Sequence, residues 1–395
     1  MKKIELLAPA GNLSKFKTAI RYGADAVYIG GKTFSLRARA SNFSLEDIRE
    51  ACTFAHFHGK KVYVTMNIIP HNEDFTGLET YLDFLSLIGV DAIITSSMHI
   101  MQTALDRTPS MEVHLSTQLS FTNHAACEYF HSLGVKRVVL ARELDLNQLA
   151  AIRPHTSIGL EVFIHGGMCS AYSGRCMLSN YMVNRDANRG GCAHSCRWDY
   201  DLIVDGEIGP YPTFKIASKD LCAISLIPQL IDMGLDSLKI EGRMKSEYYI
   251  ATVVRAYRML IDDYYEGTLV SLDPYYEEIA KAENRPFSIG FLQGTPRSDG
   301  HLYEETSTPT KEFVGIVLAY DPTTQQATIE QRNHFPAQST LEFFGPHLAN
   351  IQVTIDHILD KDGVALDAAR HPKQVVFVHV PFEVHLFDMV RLVLK

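Results

Sequence analysis

The sequence predicts an α/β fold: a parallel TIM-like (β/α) barrel over residues 1–285, a linker over 286–309, and a small β-barrel domain over 310–395. Three observations carry this reading. A phrase of helix, glycine and apolar strand recurs as GADAVYIG at 23–30, GVDAIIT at 89–95, GVKRVVL at 134–140 and GLDSLKI at 234–240. About eight strand candidates alternate with helices before residue 245, which favours a closed barrel over an open doubly wound sheet. From Lys311 onward the period changes to short alternating runs separated by turn residues.

Each element follows from local chemistry. The repeated glycine sits where a helix ends in a left-handed residue and the chain turns into a buried strand. The amphipathic stretches Leu13–Tyr22 and His124–Leu133 precede two of these glycines. Ile4–Ala8, Lys61–Asn67, Glu112–Leu119 and Gly159–His165 are apolar enough to be further strands, and Ser44 with Asp47 forms a capping box at a helix start. Ser246–Tyr264 reads as one long helix and Pro274–Ala282 as a short one. Gly290–Pro309 has linker composition. Phe313–Tyr320, Gln326–Gln331, Thr340–Phe344, Ile351–Ile358 and Val375–Val380 are the strands of the last domain, with turns at Asp321-Pro322 and Asp362-Gly363.

Composition narrows the function classes. The 395 residues are 46% hydrophobic and 21% charged, enough for a sizeable core without disulfides. A net charge of −9 argues against a globally basic nucleic-acid binder while leaving room for a local basic segment. No run of apolar residues is long enough to span a membrane. The stretch after Met1-Lys2-Lys3 is cut short at Pro9, so no export signal is expected and a cytoplasmic location is.

In a barrel the active face lies at the strand C-termini. Polar side chains fall there: Asn67, then His114, Ser116 and Gln118, then Arg142 and Glu143, then Glu161 and His165, and finally Lys239, Glu241 and Arg243. Alternation places Lys239, Glu241 and Arg243 on one strand face, and likewise His114, Ser116 and Gln118. Charges facing a barrel lumen must pair with each other or bind something polar. Arg142, Glu161, His165, Lys239, Glu241 and Arg243 are therefore the catalytic candidates, with a structural ion-pair network as the other reading.

The cysteines are unevenly placed. Of seven, Cys52 and Cys127 stand alone, whereas Cys169, Cys176, Cys192, Cys196 and Cys222 fall within 54 residues. Their spacings of six, fifteen, three and twenty-five intervening residues lack the tight pairs of structural zinc sites. Four thiolates on such a loop, with glycines nearby, suit an iron–sulfur cluster. Cys222, read as opening a helix, would have its thiolate favoured by the helix dipole. The same segment interleaves Arg175, Arg185, Arg189 and Arg197 with Tyr172, Tyr181, Trp198 and Tyr200, a composition that grips phosphate and stacks unpaired bases. An ordinary solvated loop has the same composition. GGKT at 30–33 resembles the end of a phosphate loop, but Ala26 stands where the required earlier glycine would be. The common metallopeptidase and serine-hydrolase signatures are absent.

Glu161-x-Phe163-x-x-Gly166-Gly167-Met168-Cys169, followed by Gly174-x-Cys176-x-Leu178-Ser179, resembles the signature of the collagenase-like peptidase family of unassigned catalytic type, number thirty-two. Gly167 departs from it, standing where Ser or Ala is usual. LAPAG at 7–11, ADAVYIG at 24–30, SKDLC at 218–222 and LKIEGR at 238–243 extend the resemblance over most of residues 4–260, and the β tail resembles the family's C-terminal domain. The resemblance implies a 4Fe–4S protein supporting oxygen-independent hydroxylation. It is strongest to the branch that makes 5-hydroxyuridine at the tRNA wobble position with prephenate as hydroxyl source. It implies Cys169, Cys176 and Cys192 as metal ligands, with Cys222 as the fourth and Cys196 as the other choice. Arg175, Arg189, Arg197, Trp198 and Tyr172 would then hold the tRNA anticodon arm, beside a paralogous partner subunit or as a homodimer. Peptidase activity and a non-catalytic RNA-binding subunit are the alternatives.

Overall fold

The computed structural model describes residues 3–36, 42–209, 213–282, 285–303 and 311–394. Seven parallel strands run in chain order: β1 (Glu5–Pro9), β2 (Ala26–Gly30), β3 (Lys61–Met66), β4 (Ala92–Thr95), β5 (Glu112–Leu115), β6 (Arg137–Val139) and β7 (Gly159–Gly167). An eighth, Ser237–Ile240, pairs in parallel with both β7 and β1 and closes the barrel. The repeat punctuation has the physical cause expected. Asn12, Ser44, Ser97, Asn123 and Asp145 each accept a backbone N–H at a helix start. Gly23, Gly89, Gly134 and Gly234 adopt φ of 108°, 83°, 101° and 73° after the helix ends, a backbone region in which a side chain would strain. Ser44 and Asp47 form the reciprocal capping box.

The structure corrects three boundaries. The fifth strand stops at Leu115, and Ser116 caps a 3-10 turn over Thr117–Leu119, so His114, Ser116 and Gln118 do not share one strand face. The segment around Cys222 is not a helix start. Asp220–Cys222 is a strand running antiparallel to the end of β7, with Cys222 opposite His165. The stretch read as a linker contains Phe287–Ser288, which pairs in parallel with Asp220–Cys222, and a helical turn at Ser298–His301. Its residues 304–309 lie outside the described residues.

The last domain is an antiparallel sheet of eight strands wrapped around its own core, including Val314, Ile329, Phe343, Val376 and Val390. No ladder among the described residues joins its edge strands Ile351–Thr354 and Ala365–Leu366, so hydrogen bonds do not close it as a barrel. The strand Met389–Val393 escaped the sequence reading and sits near the sheet's centre, between Thr340–Phe344 and Lys311–Asp321. Ile316, Phe344 and Met389 join the barrel's own hydrophobic cluster, so the two units share a seam. At that seam the fully enclosed Arg391 donates to both Glu278 oxygens at 2.9 Å and to Glu342 at 2.7 Å. Arg255, on the long helix Glu247–Glu266, donates to the carbonyls of Gly345 and Leu348, both at 2.8 Å. No described helix is long and apolar enough to cross a membrane.

Candidate active site

The inward face of the barrel begins as an apolar plug. Leu7, Ala26, Tyr28, Tyr63, Ala92 and Ile94 form a cluster separate from the surrounding core, alternating along their strands with Leu6, Val27, Val62 and Ile93, which face outward to the helices. A charged network completes the lumen. The fully buried Glu161 accepts the Lys239 ammonium at 2.6 Å and the Arg137 guanidinium at 3.1 Å. Arg137 also pairs with Glu5, which accepts Tyr63 Oη–H at 2.7 Å and Ser237 Oγ–H at 3.0 Å. Burial alone would push the Glu161 carboxyl up, but Lys239 and Arg137 outweigh that and hold it down at about 2. Glu161 and Lys239 are thus each other's partners, the arrangement of a structural network. Neither is placed to exchange protons with a ligand.

His165 is also placed away from the reacting face. The register of β7 shifts between Phe163 and His165, a bulge-like irregularity. The imidazole then lies among Tyr249, Tyr257 and Phe287, outside the lumen, with Tyr257 Oη 3.3 Å from Nδ1. Burial, then the Lys245 charge, pushes its pKa down to about 3. Because the folded value lies below the unfolded one, the unfolded chain takes up the proton first as pH falls. Stability is therefore full above about pH 6.5 and declines toward pH 3, by up to about 1.4 kcal/mol per pH unit for this one group. A His165→Phe variant should show a shallower decline between pH 6.5 and 4.5 in thermal melts. An unaltered slope would contradict the neutral, buried imidazole.

Above the plug, at the strand C-termini, the remaining candidates converge better. Arg142 lies with its guanidinium 3.8 Å from the Phe163 ring centre and donates to the Gly167 carbonyl at 2.7 Å. Its charge is felt by Glu241 and Cys169, while burial pushes its own pKa down. Arg243 donates to Asn42 Oδ1 at 2.7 Å and to Ser35 Oγ at 3.2 Å. It lies so close across Gly30 that a Cβ there would meet the guanidinium at 2.2 Å, which is why β2 ends in glycine. Gly167 has an equivalent cause: a Cβ would stand 2.9 Å from the Arg285 guanidinium, which reaches Asp220 at 2.7 Å. Asn67 donates to Gln118 Oε1 at 3.2 Å, bridging the ends of β3 and β5.

The cysteine loop leaves the barrel immediately after β7 and folds over this mouth. Cys169 and Cys192 are exposed, Cys176 and Cys196 half-buried, and Cys222 buried. The Cys169 sulfur accepts the Ala171 N–H at 3.4 Å and the Cys176 sulfur the Leu178 N–H at 3.3 Å. Although Cys169 is exposed, the protein packed around its sulfur desolvates the thiol and raises it, against the Ala171 N–H and Arg142. Cys222 is elsewhere: its thiol lies 4.0 Å from Tyr257 Oη in the aromatic pocket of His165, and burial pushes it up to about 11, opposite to the helix-dipole effect expected. No three His, Cys, Asp or Glu side chains among the described residues converge on a single metal-binding point. The donor chemistry of the loop nonetheless suits an iron–sulfur cluster, being thiols with backbone amides directed at two of the sulfurs.

The basic aromatic segment divides in two. Arg189 is a clamp, bonded to both Asp74 oxygens and to the Ile69 carbonyl, and it holds the loop to the connection after β3. Arg175, Tyr172 (55% exposed) and Trp198 (38% exposed) are exposed and Arg197 is half-buried, so these four remain available to a ligand. Sequence reasoning missed Arg137 and Glu5, although a charge at the start of an otherwise apolar strand was a usable signal. It also missed Ser218 and His301, whose roles depend on a loop packing that no motif encodes. With Glu143 and Cys169 they line a cleft of ≈330 Å³ beside the cysteine loop.

Two domain profiles match this chain: Peptidase family U32 over residues 11–302 and the Peptidase family U32 C-terminal domain over 309–391. The chain belongs to peptidase family U32. This U32 protein is 47% identical over 400 residues to the tRNA hydroxylation protein P1 of Bacillus subtilis (strain 168), covering 99% of this chain and 95% of that one. It is 40% identical over 261 residues to the 23S rRNA 5-hydroxycytidine C2501 synthase of Escherichia coli (strain K12), covering 66% of this chain and 39% of that one. It is 34% identical over 334 residues to the collagenase of Porphyromonas gingivalis (strain ATCC BAA-308 / W83), covering 80% of each.

Proposed function

We propose that this U32 protein is an RNA-modifying enzyme that converts a tRNA wobble uridine to 5-hydroxyuridine without oxygen, with prephenate as the hydroxyl source and a 4Fe–4S cluster on its cysteine loop. The likeness to a tRNA hydroxylation protein over 99% of the chain is the observation that carries this reading. Cys169, Cys176, Cys192 and Cys196 would hold the cluster. Cys196 is half-buried on the same loop as Cys192, whereas Cys222 is buried beside Tyr257, so the fourth place goes to Cys196 rather than to Cys222. The cluster, when bound, supplies one-electron chemistry at the mouth of the barrel.

The chain's own residues supply binding and orientation. Arg142 and Arg243 bring positive charge to the mouth and suit the carboxylates of prephenate. Phe163 backs the Arg142 guanidinium and fixes its plane. Arg175, Arg197, Tyr172 and Trp198 offer phosphate contacts and stacking faces to an anticodon loop whose bases are unpaired. The collagenase relative favours peptidase chemistry as a second reading. Against it, Glu161 is locked in an ion pair and His165 lies in an aromatic pocket, so neither meets the other as acid and base. Mass spectrometry of tRNA nucleosides from a deletion strain, with and without this chain restored, tests the proposal. The deletion should lose 5-hydroxyuridine and the restored strain regain it; an unchanged level on deletion and restoration would overturn it.

A further inference from the structure

The cleft beside Cys169 carries a feature that the RNA-hydroxylation reading does not by itself require. Its walls include Glu143, Tyr172, Ser218, Phe291 and His301, and its ≈330 Å³ is ample for a single nucleobase. Two of these residues hold buried polar atoms with no hydrogen-bond partner among the described residues: Ser218 Oγ, in a residue only 3% exposed, and His301 Nδ1. A buried donor or acceptor left unsatisfied costs about 1–3 kcal/mol, so two on one wall mark a place that a polar ligand completes. The flat surfaces are present as well. Phe291 and His301 pack edge to face at 5.5 Å, and Tyr172 stands exposed at the rim.

Charge selects the ligand. None of the described residues lining the cleft is Lys or Arg, and burial, then the charge of Lys219, lowers the pKa of His301, which favours its neutral form. Glu143 contributes a carboxylate, held by the Ser173 N–H at 2.7 Å and the Ser173 hydroxyl at 3.3 Å. An anionic co-substrate would meet that carboxylate with no Lys or Arg in the described lining, so it is better placed at Arg142 and Arg243, whose guanidiniums lie outside the lining. A neutral planar ring that offers one N–H to a carboxylate and two carbonyl oxygens to a hydroxyl and an imidazole fits. Uracil has this pattern. Cytosine, with a lone pair at N3 in place of the N–H, does not.

We propose that this cleft is the pocket for a flipped-out uracil base, with Glu143 accepting N3–H and Ser218 and His301 facing the carbonyl oxygens. The proposal deepens the hydroxylation reading and rests on it for the identity of the polymer. Extruding the target base into such a pocket is the general solution for enzymes that act on a nucleobase. The position also brings the base beside Cys169, on the reacting side of the loop.

The test uses the full-length protein with uridine 5′-monophosphate and cytidine 5′-monophosphate in calorimetric or NMR titrations. Uridine monophosphate should bind at least about tenfold more tightly than cytidine monophosphate, a difference of about 1.4 kcal/mol. Ser218→Ala should weaken the uridine nucleotide about five- to tenfold. Glu143→Gln should shrink the uridine preference. Equal binding of the two nucleotides, or no binding of either, would overturn the pocket. The filled variant Ser218→Leu supplies the separating measurement. If it melts like the wild type and still restores full 5-hydroxyuridine in the deletion strain, the pocket is wrong while the hydroxylation reading stands. If the wild-type chain binds uridine monophosphate selectively but restores no 5-hydroxyuridine, the reaction assignment fails and the base pocket survives.

Discussion

Cys176→Ala is expected to reduce 5-hydroxyuridine in tRNA from a restored deletion strain to background. Protein purified without oxygen should at the same time lose its brown colour and the absorbance near 400 nm. The thiol removed is held by the Leu178 N–H and is flanked on its backbone by Asn188, which donates to the Cys176 carbonyl at 3.1 Å and accepts its N–H at 3.2 Å. Asn188 thus fixes the backbone on both sides of this thiol, and loss of the thiol would remove one of the four ligands proposed for the cluster. Cys222→Ala should behave differently. It deletes a buried thiol in the His165 pocket, where the cost is packing, and the absorbance should remain. A colourless wild-type protein that still modifies tRNA would remove the cluster from the proposal. Absorbance lost with Cys222→Ala and kept with Cys196→Ala would restore Cys222 as the fourth ligand.

The second large effect is on stability. Glu161→Ala leaves the buried Lys239 without its carboxylate and Arg137 with Glu5 alone. Breaking one partner out of a buried ion pair costs about 3–5 kcal/mol, so the melting temperature should fall by roughly 10 °C. Replacing Glu161, Lys239 and Arg137 together by apolar residues of similar size should recover much of that loss, since the desolvation cost disappears with the charges. A Glu161→Ala protein that melts like the wild type yet has lost all activity would contradict the structural role and return Glu161 to the chemistry. The pH direction agrees with the pairing. The carboxyl is held down at about 2, below its ordinary value, so its contribution is present above about pH 4.5 and is lost as pH falls toward 2.

Much of the barrel is legible because its determinants are local. An N-cap such as Asn12 or Ser44 starts a helix, a glycine such as Gly23 or Gly134 ends it, and four apolar residues make the strand that follows. The long helix was legible from its Ser246 cap for the same reason; the reading to Tyr264 stops two residues short of Glu266, where Gly267 closes it with a φ of 73°. The errors fell where a neighbour overrides the local pattern. Cys222 follows a sequence that suits a helix start, but the reversed strand Asp220–Cys222 finds hydrogen-bond partners on the free edge of β7, two of them at glycines. Alternation along β7 would carry His165 to the face of Glu161, and one register shift sends it outward. The strand Met389–Val393 has to be seen against its two neighbours before its buried Arg391 makes sense.

The candidate site divides along the same line. The cysteine loop, its position after the seventh strand and the presence of arginines among aromatics were all written in the chain. Which charges are engaged was not. Lys239 and Glu161 satisfy one another, Arg189 is spent on Asp74, and Arg142 remains at the mouth, a partition that depends on distances between residues far apart in sequence. By itself the sequence determined the repeat, the closed parallel barrel, the all-β tail and the family, because caps, glycines and strand periods act within a few residues of one another. Only the tertiary structure decided that Cys196 stays half-buried on its loop while Cys222 lies in the core, and that Ser218 and His301 share a cleft with Glu143. The reason is physical: burial, ion pairing and orphaned polar atoms are properties of surroundings, and those surroundings are assembled from separate turns of the barrel.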